Sequence, residues 1–503
     1  MKPVKYILII SILFMAPFFN GCEKDFLETS PSSSISDVDA FKTTDGAQTA
    51  LNGIYYHLRR YNGGGANRRD DHGIPALNMT NDAAAGQEIV VWGGWYGYDY
   101  NLWGHTRGDV FKSASIWRFL YRTINNANLI LANIDEAEGD DTDKEAIKGQ
   151  ALALRAYSYF YLIRYFQQTY IIARDMPGVP IYLTPATAES TGNPRGTVEE
   201  VYTRILTDLN DAIPLLENYF RGDRKTTIDK NVALGILAEV YLTMNRWTDA
   251  AEAANDAREG YTLMTPAEYH GGFNDINNHE WMWGGIQIPD QNMGDYSPFA
   301  MWANFSDTQR SGFSFNCFFL NDRFAETFDA EDIRFDGKIQ PDPWGAGLYT
   351  STKFYDKPDL MGDLVYMRAS TMYLIEIEAL ARAGGRESDA QQLLWELQDA
   401  RNAVRSTSTG SDLIEDILLE RRKELYGEGY SWFDLIRNQK PMYRAGVHKD
   451  GKTPESGLEH WPARSWRYVY QIPFNEISNN EALQDGIWPS GDQTPFDGEY
   501  SPN

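Results

Sequence analysis

Apolar positions recur every three to four residues over long stretches of the chain, and the stripes come in pairs. From Val232 to Leu242 the couples Ala233/Leu234, Leu237/Ala238 and Tyr241/Leu242 repeat every four residues, which sets them on one face of a helix. Asn245 marks a turn. Trp247, Ala250/Ala251, Ala254 and Ala257 then form a second stripe, with Thr248 expected as N-cap before Asp249. Small alanines let two helices approach closely, so the pair reads as a helix hairpin of tetratricopeptide type. A second copy runs from Met372, with Tyr373, Ile377 and Leu380/Ala381 in one stripe, a turn at Gly384-Gly385, and an expected capping box at Ser388-Asp389-Ala390-Gln391.

Further helices are predicted over Asp39 to Arg59 and Ser115 to Asp135, along Ile147, Ala151, Leu154, Ser158, Tyr161 and Tyr165, and from the capping box Thr197-Val198-Glu199-Glu200 to about Asn218. Two stretches break the helical period: about 61–106, and about 261–361, where Gly, Asn, Asp and Pro abound and few 3.6-residue stripes remain. The fold expected is all-α dominated, with tetratricopeptide-like helix hairpins and a loop-rich variable insertion carrying a few short strands. The body, 37–503, is read as one unit, its helical scaffold spanning about 37–60, 107–260 and 362–440. Loop-rich blocks on a rigid scaffold are where binding residues concentrate.

The N-terminus reads as an address. Lys2 and Lys5 precede an apolar run from Tyr6 to Phe19, too short to span a bilayer and laid out as a secretory signal peptide over residues 1–21. Phe19-Asn20-Gly21-Cys22 resembles the lipobox at which bacterial lipoproteins are cut and acylated, so Cys22 is the expected lipid anchor. Glu23-Lys24-Asp25 resembles the acidic tag that sends some Gram-negative lipoproteins to the outer face of the outer membrane. Residues 22–36, with serines from Ser30 to Ser36, read as a flexible lipidated tether. Cys317 is the only other cysteine among 503 residues, so neither a disulfide framework nor a cysteine metal site is available. The formal charge of −25, without any basic block, makes nucleic acid a poor partner. A local basic patch at Arg59, Arg60, Arg68 and Arg69 is read as solvated.

Aromatic content changes the picture most: 14 Trp, 30 Tyr and 24 Phe exceed what a core requires. A pyranose presents C–H groups on one face, for which an exposed Trp or Tyr is a flat apolar platform, while Asp, Asn and Arg at the edge bind hydroxyls. The first block offers Trp92, Trp95, Tyr96, Tyr98, Tyr100 and Trp103 among glycines, with Asn81 and Asp82 as polar contacts. The second offers Trp281, Trp283 and Trp302, with Trp344 further along. Trp281 to Ile288 reads as a strand whose alternation puts Trp281 and Trp283 on one face, either ligand-facing or core. Glu420 and Glu424, one helical turn apart, invite a glycosidase reading. Their neighbours Arg421, Arg422 and Lys423 argue for ion pairs that hold both acids ionised instead. The seven histidines form no HExxH, and no phosphate-binding or serine-elbow motif occurs. No cofactor is predicted; calcium is compatible with Asp140, Asp141 and Asp143, but no EF-hand glycine follows and none is called for.

Several segments resemble the SusD/RagB family of nutrient-uptake lipoproteins: Phe41 to Ala47, Leu51 to Tyr55, Arg155-Ala156-Tyr157-Ser158-Tyr159-Phe160, Pro177-Gly178-Val179-Pro180, Asp332-Ile333-Arg334, Leu419 to Leu425, Glu428 to Arg437 and Tyr470-Gln471-Ile472-Pro473. The resemblance runs from Cys22 almost to the end. It departs at Asn479-Asn480-Glu481, where the family usually has Asn-Pro. It implies a surface-anchored, non-enzymatic protein of the outer membrane that binds oligosaccharide or polysaccharide and closes over a SusC-like TonB-dependent transporter. A surface glycoside hydrolase and a purely protein-binding repeat scaffold are the alternatives.

Overall fold

The computed structural model describes residues 41–60, 68–101, 108, 111–222, 225–291, 293–302, 317–343, 345–444, 446, 462–465 and 468–486. The expected signal peptide and tether, Cys22, Trp103 and Trp344 lie outside the described residues. The principal helices are α1 (Thr44–His57), α2 (Gly73–Ala85), α3 (Tyr96–Tyr100), α4 (Phe111–Asn133), α5 (Asp141–Phe166), α6 (Val198–Leu215), α7 (Lys230–Thr243), α8 (Trp247–Ala257), α9 (Ala369–Arg382), α10 (Glu387–Ala400), α11 (Gly410–Leu425), α12 (Ser431–Arg437) and α13 (Phe474–Asn479).

Each helix of the scaffold packs on the next: α4 on α5, α5 on α6, α6 on α7, α7 on α8, α8 on α9 and α9 on α10. The chain leaves the scaffold after α8 and returns more than a hundred residues later at α9, yet α8 and α9 are neighbours. The α7–α8 and α9–α10 hairpins therefore stack as repeats do, burying faces that neither could bury alone. Ala250, Ala254 and Ala257 are fully buried at this joint, as their spacing predicts. Arg155 on α5 locks the earlier part, pairing with both oxygens of Asp208 on α6 at 2.8 and 2.7 Å and with Asn128 on α4 at 2.8 Å.

Local signals were mixed. The Thr197/Glu200 capping box forms at the start of α6. At α8 and α10 the expected caps do not: Thr248 and Ser388 lie inside helices that begin a residue earlier, after Arg246 and Arg386. In both, the arginine at the N-cap bonds the aspartate three residues on, Arg246 to Asp249 and Arg386 to Asp389, so a charge pair stands where a hydroxyl cap was expected. A larger departure is α2, inside the stretch read as irregular. All thirteen of its residues are buried, so it has no polar face and no 3.6-residue stripe to detect.

The two irregular blocks meet in a four-stranded antiparallel sheet of order β1-β5-β7-β6, with β1 (Ile89–Val91) from the first block and β5 (Phe318–Leu320), β6 (Ile339–Pro341) and β7 (Tyr349–Ser351) from the second. Two short ribbons complete the strands: β2 (Pro177–Pro180) with β3 (Arg195–Thr197), and β4 (Trp281–Gly285) with β8 (Leu364–Arg368). One hydrophobic core fills the helical scaffold, and a second, richer in aromatic rings, lies beneath the sheet.

Candidate functional site

Of the residues nominated from sequence, the structure brings one set to a surface and sends the rest inside. The glycine turn Gly93-Gly94, with Gly94 at φ +69°, leads into the single-turn helix α3. Along that turn Tyr96, Asp99 and Tyr100 face inward, while Trp95 and Tyr98, three residues apart, share the outer face. Their rings stack at 6.2 Å with planes 28° apart, and Tyr98 is 52% exposed. The Arg68 guanidinium lies 4.3 Å from the Trp95 ring centre and 4.0 Å from that of Phe111. Next along the chain, Arg69 lies 5.1 Å over Tyr296, which also packs 4.9 Å from His72. Tyr296 belongs to the second block, so both blocks contribute to this facet.

The facet rests on buried charge. Asp70 takes two bonds from Arg68, at 2.9 and 2.7 Å, and pairs with the Lys112 ammonium at 3.0 Å. Lys112 also donates to the Asp70 carbonyl at 2.8 Å and to the Thr80 hydroxyl at 3.0 Å, and stands 3.4 Å from Asp99. Burial pushes the Asp99 carboxyl up, Lys112 opposing, while Lys112 and Arg68 hold Asp70 below the ordinary range against the cost of its burial. Tyr96 donates to the Arg69 carbonyl at 2.9 Å, tying α3 to the arginine segment. Burial also lowers His72 to about 4, so it is neutral beside Tyr296 at physiological pH.

The remaining candidates are structural. Asn81 and Asp82 lie fully inside α2, where no ligand reaches. The Asn81 amide donates to the Gly429 carbonyl at 3.0 Å and its oxygen accepts from Tyr165 at 2.6 Å. Asp82 accepts from the backbone N–H groups of Gly429 and Ser431 at 3.0 and 3.3 Å. These bonds clamp the turn before α12 onto α2. Gly429 is required there, because a Cβ would stand 2.4 Å from the Asn78 Cα and φ is +89°. Trp92 is half-buried against Phe319 at 5.0 Å, and its ring N–H has no hydrogen-bond partner among the described residues.

Trp281, Trp283 and Trp302 are also core. The strand expectation holds for Trp281 and Trp283, but the common face does not. A bulge separates them: Trp281 pairs with Arg368 and Trp283 with Met367, so two steps on β4 match one on β8. Trp281 enters the aromatic core, whereas Trp283 enters the scaffold core, edge-on to Tyr157 at 5.3 Å and Tyr366 at 5.2 Å. Trp302 stacks on Phe354 at 5.3 Å within 23° of parallel. Cys317 is buried too, its thiol pushed up to about 12.

Glu420 and Glu424 sit in a buried ionic cluster, with partners drawn from across the fold and not from the adjacent cations. Arg334 contacts Glu420 at 2.5 Å, Glu424 at 3.2 Å and Asp332 at 2.7 Å. Arg368 reaches Glu280 at 2.6 Å, Glu424 at 2.7 Å and Glu428 at 2.8 Å, and Arg401 reaches Glu280 at 3.1 Å and Glu424 at 2.8 Å. Lys353 closes the set on Glu428 at 2.7 Å. Burial alone would raise the Glu424 carboxyl, but Arg401 and Arg368 hold it well below the ordinary range. Arg421 and Arg422 point elsewhere, to Asp434 and Glu88 at 2.7 and 2.5 Å. Arg68 likewise is not solvated as read from sequence, its side chain being mostly covered by Asp70 and the two rings.

Among the described residues no group of three or more His, Cys, Asp or Glu side chains could hold a metal ion, and no helix is long and apolar enough to cross a membrane. Sequence reasoning missed Phe111, Lys112, Asp70 and Tyr296. The signal for Asp70 and Lys112 was faint: Asp70 falls inside a stretch read as irregular and Lys112 just before a predicted helix start, each indistinguishable from a solvated charge until it is seen inside.

Comparison with known proteins agrees with this architecture over most of its length. Residues 25–242 match a SusD-like family profile described as starch-binding and associating with the outer membrane, and residues 350–487 match the SusD family. SusD-like protein P38 of Formosa agariphila is 23% identical, covering 97% of this chain and 100% of that one. The crystal structure of a SusD-like carbohydrate binding protein from Bacteroides vulgatus superposes with a TM-score of 0.78 at 31% identity, over 88% of this chain and 98% of the other. A putative sugar binding protein from the same species has a TM-score of 0.74 at 24% identity, over 88% and 97%. Stacked hairpins, the sheet that unites two irregular blocks and these matches lead to one conclusion: the chain belongs to the SusD/RagB family.

Proposed function

We propose that this protein captures an oligosaccharide or polysaccharide outside the cell, by stacking sugar rings on Trp95 and Tyr98, and delivers it to a SusC-like TonB-dependent transporter while Cys22 anchors it to the outer membrane. The observation that carries the reading is the outward Trp95–Tyr98 pair, held open on a buried ionic base with Arg68 beside it. Two flat rings offer apolar area to the C–H face of a pyranose, and their positions are set before the ligand arrives, which reduces the ordering cost of binding. Arg69 and Tyr296 extend the facet with a guanidinium and a hydroxyl for sugar oxygens. The names of the two Bacteroides vulgatus relatives, a carbohydrate binding and a sugar binding protein, point the same way.

Capture is proposed to be non-catalytic. The acid pair of the hydrolase alternative, Glu420 and Glu424, is committed to arginines in the interior, and Glu424 stays ionised where a general acid must carry a proton. A shallow platform returns little of the ordering cost for one short glycan, so polymer should be held far better than monomer.

Affinity electrophoresis of residues 23–503 through gels containing neutral and acidic polysaccharides tests this reading, alongside a Trp95→Ala/Tyr98→Ala variant. Retardation by one polymer that disappears in the folded variant is expected. Retardation that survives in the variant, or release of reducing sugar by the purified protein, would overturn it.

A further inference from the structure

A cavity of about 480 Å³ opens between α4, the loop from Tyr182 to Asn193, and the segment around α13. None of its lining residues belongs to the Trp95–Tyr98 facet. Three aromatic side chains build its apolar part. The Tyr121 ring stands 4.7 Å from Trp117 and meets Tyr182 edge-on, at 5.7 Å and 80°. The tyrosines are fixed by their hydroxyls: Tyr121 donates to the Pro180 carbonyl at 2.8 Å, and Tyr182 accepts from the Asn193 N–H at 3.1 Å. The Tyr182 N–H in turn donates to the Tyr159 hydroxyl at 2.7 Å.

Polar groups sit beside these rings with capacity to spare. Asn125 uses its oxygen to accept from the Ala186 N–H at 2.8 Å, which orients the amide and leaves its NH2 without a bond among those the described residues make. The Arg118 Nε and Nη2 are buried, with Nη2 pairing with Asp71 at 4.0 Å, so neither of these two donors faces the cavity. The half-buried Glu476 carboxylate, which lines the cavity with Trp117, supplies acceptor sites for a ligand.

This combination restricts the occupant. A wholly apolar ligand would bury the Asn125 NH2 without a partner. A carboxylated or sulfated ligand would meet Glu476 and a cationic one Arg118 and Arg122, so the mixed lining favours neither charge. A compact molecule with an apolar face and hydroxyl edges satisfies both, and the volume, at the lower end of ligand pockets, suits one or two sugar rings. We infer that this cavity is a second binding site, for a neutral mono- or disaccharide, separate from the polymer-capturing facet.

Saturation-transfer NMR on residues 23–503 with D-glucose, D-galactose, D-mannose, maltose, cellobiose and lactose tests the inference. At least one of these sugars is expected to give transfer to the unaltered protein and to the Trp95→Ala/Tyr98→Ala variant. Asn125→Asp keeps the acceptor for Ala186 and removes the donor, so the same sugar should bind at least tenfold more weakly. Ala186→Trp, at an exposed position on the rim, fills the cavity without touching the core and should abolish transfer even if Asn125→Asp folds poorly. Transfer from none of the six, transfer undiminished in Ala186→Trp, or transfer lost in the Trp95→Ala/Tyr98→Ala variant would each overturn the second site.

Discussion

Trp95 and Tyr98 on one side, and Trp281, Trp283 and Trp302 on the other, come from segments of one kind: aromatic-rich irregular chain, with glycines near all but Trp302. They have opposite fates. Trp95 and Tyr98 lie on a single turn whose other face is already occupied by Tyr96, Asp99 and Tyr100, which leaves Tyr98 exposed and Trp95 half-buried beside it. The second group lies on or beside strands that are covered on both faces, and its rings are the largest members of two cores. Exposure is thus decided by what the opposite face of the local element must bury, and aromatic content alone does not decide it. Both regions also rest on buried charge, a small Asp70–Lys112–Asp99 cluster beneath the facet and a larger one around Glu424 behind the second block.

Four changes would break or sharpen that contrast. The largest effect is expected for Glu424→Ala, which takes from Arg334, Arg368 and Arg401 the buried carboxylate they share and should cost about 3–5 kcal/mol in urea unfolding. Trp302→Ala follows, at about 3 kcal/mol in the same measurement, because the ring is packed between Phe318, Phe354 and Tyr426. Trp95→Ala should change stability by less than about 1 kcal/mol, as expected away from the core. Its effect should appear in glycan affinity, a loss of about tenfold corresponding to roughly 1.4 kcal/mol.

The fourth concerns pH. Burial raises the Asp82 carboxyl to about 7, so the folded protein holds this proton more tightly than the unfolded chain does. Its contribution to stability is present at low pH and is lost as pH rises from about 4 to about 7. Glu424 has the opposite sign: its carboxyl is depressed, so its contribution is present above the ordinary glutamate range and is lost as pH falls below it. Unfolding followed across this range should show Asp82→Asn flattening the slope between about 4 and 7 while leaving the acid limb in place.

The repeats were legible because amphipathic helices announce themselves by period, and Ala250, Ala254 and Ala257 fell where their spacing put them. Helix α2 was not legible, since burial on every side erases the period. The paired faces of Trp281 and Trp283 were misassigned because a bulge shifts register without leaving a mark in composition. At the facet, Trp95 and Tyr98 could be nominated from type and neighbours. Choosing them over Asn81, Asp82 and Trp302 required knowing which side chains had partners across the fold, such as Gly429 with Asp82 or Phe354 with Trp302. Glu424 was rightly read as ionised and both acids as ion-paired, but the adjacent cations suggested the wrong partners.

The bulge in β4 has a mechanical consequence. By sending Trp281 into one core and Trp283 into the other, a five-residue strand acts as a rivet through the wall between them. A push on the sheet side is transmitted to the stacked hairpins without slack, because close-packed interiors yield little. The two cores would then move together as one stiff piece, and bending would fall to the connections at its edge.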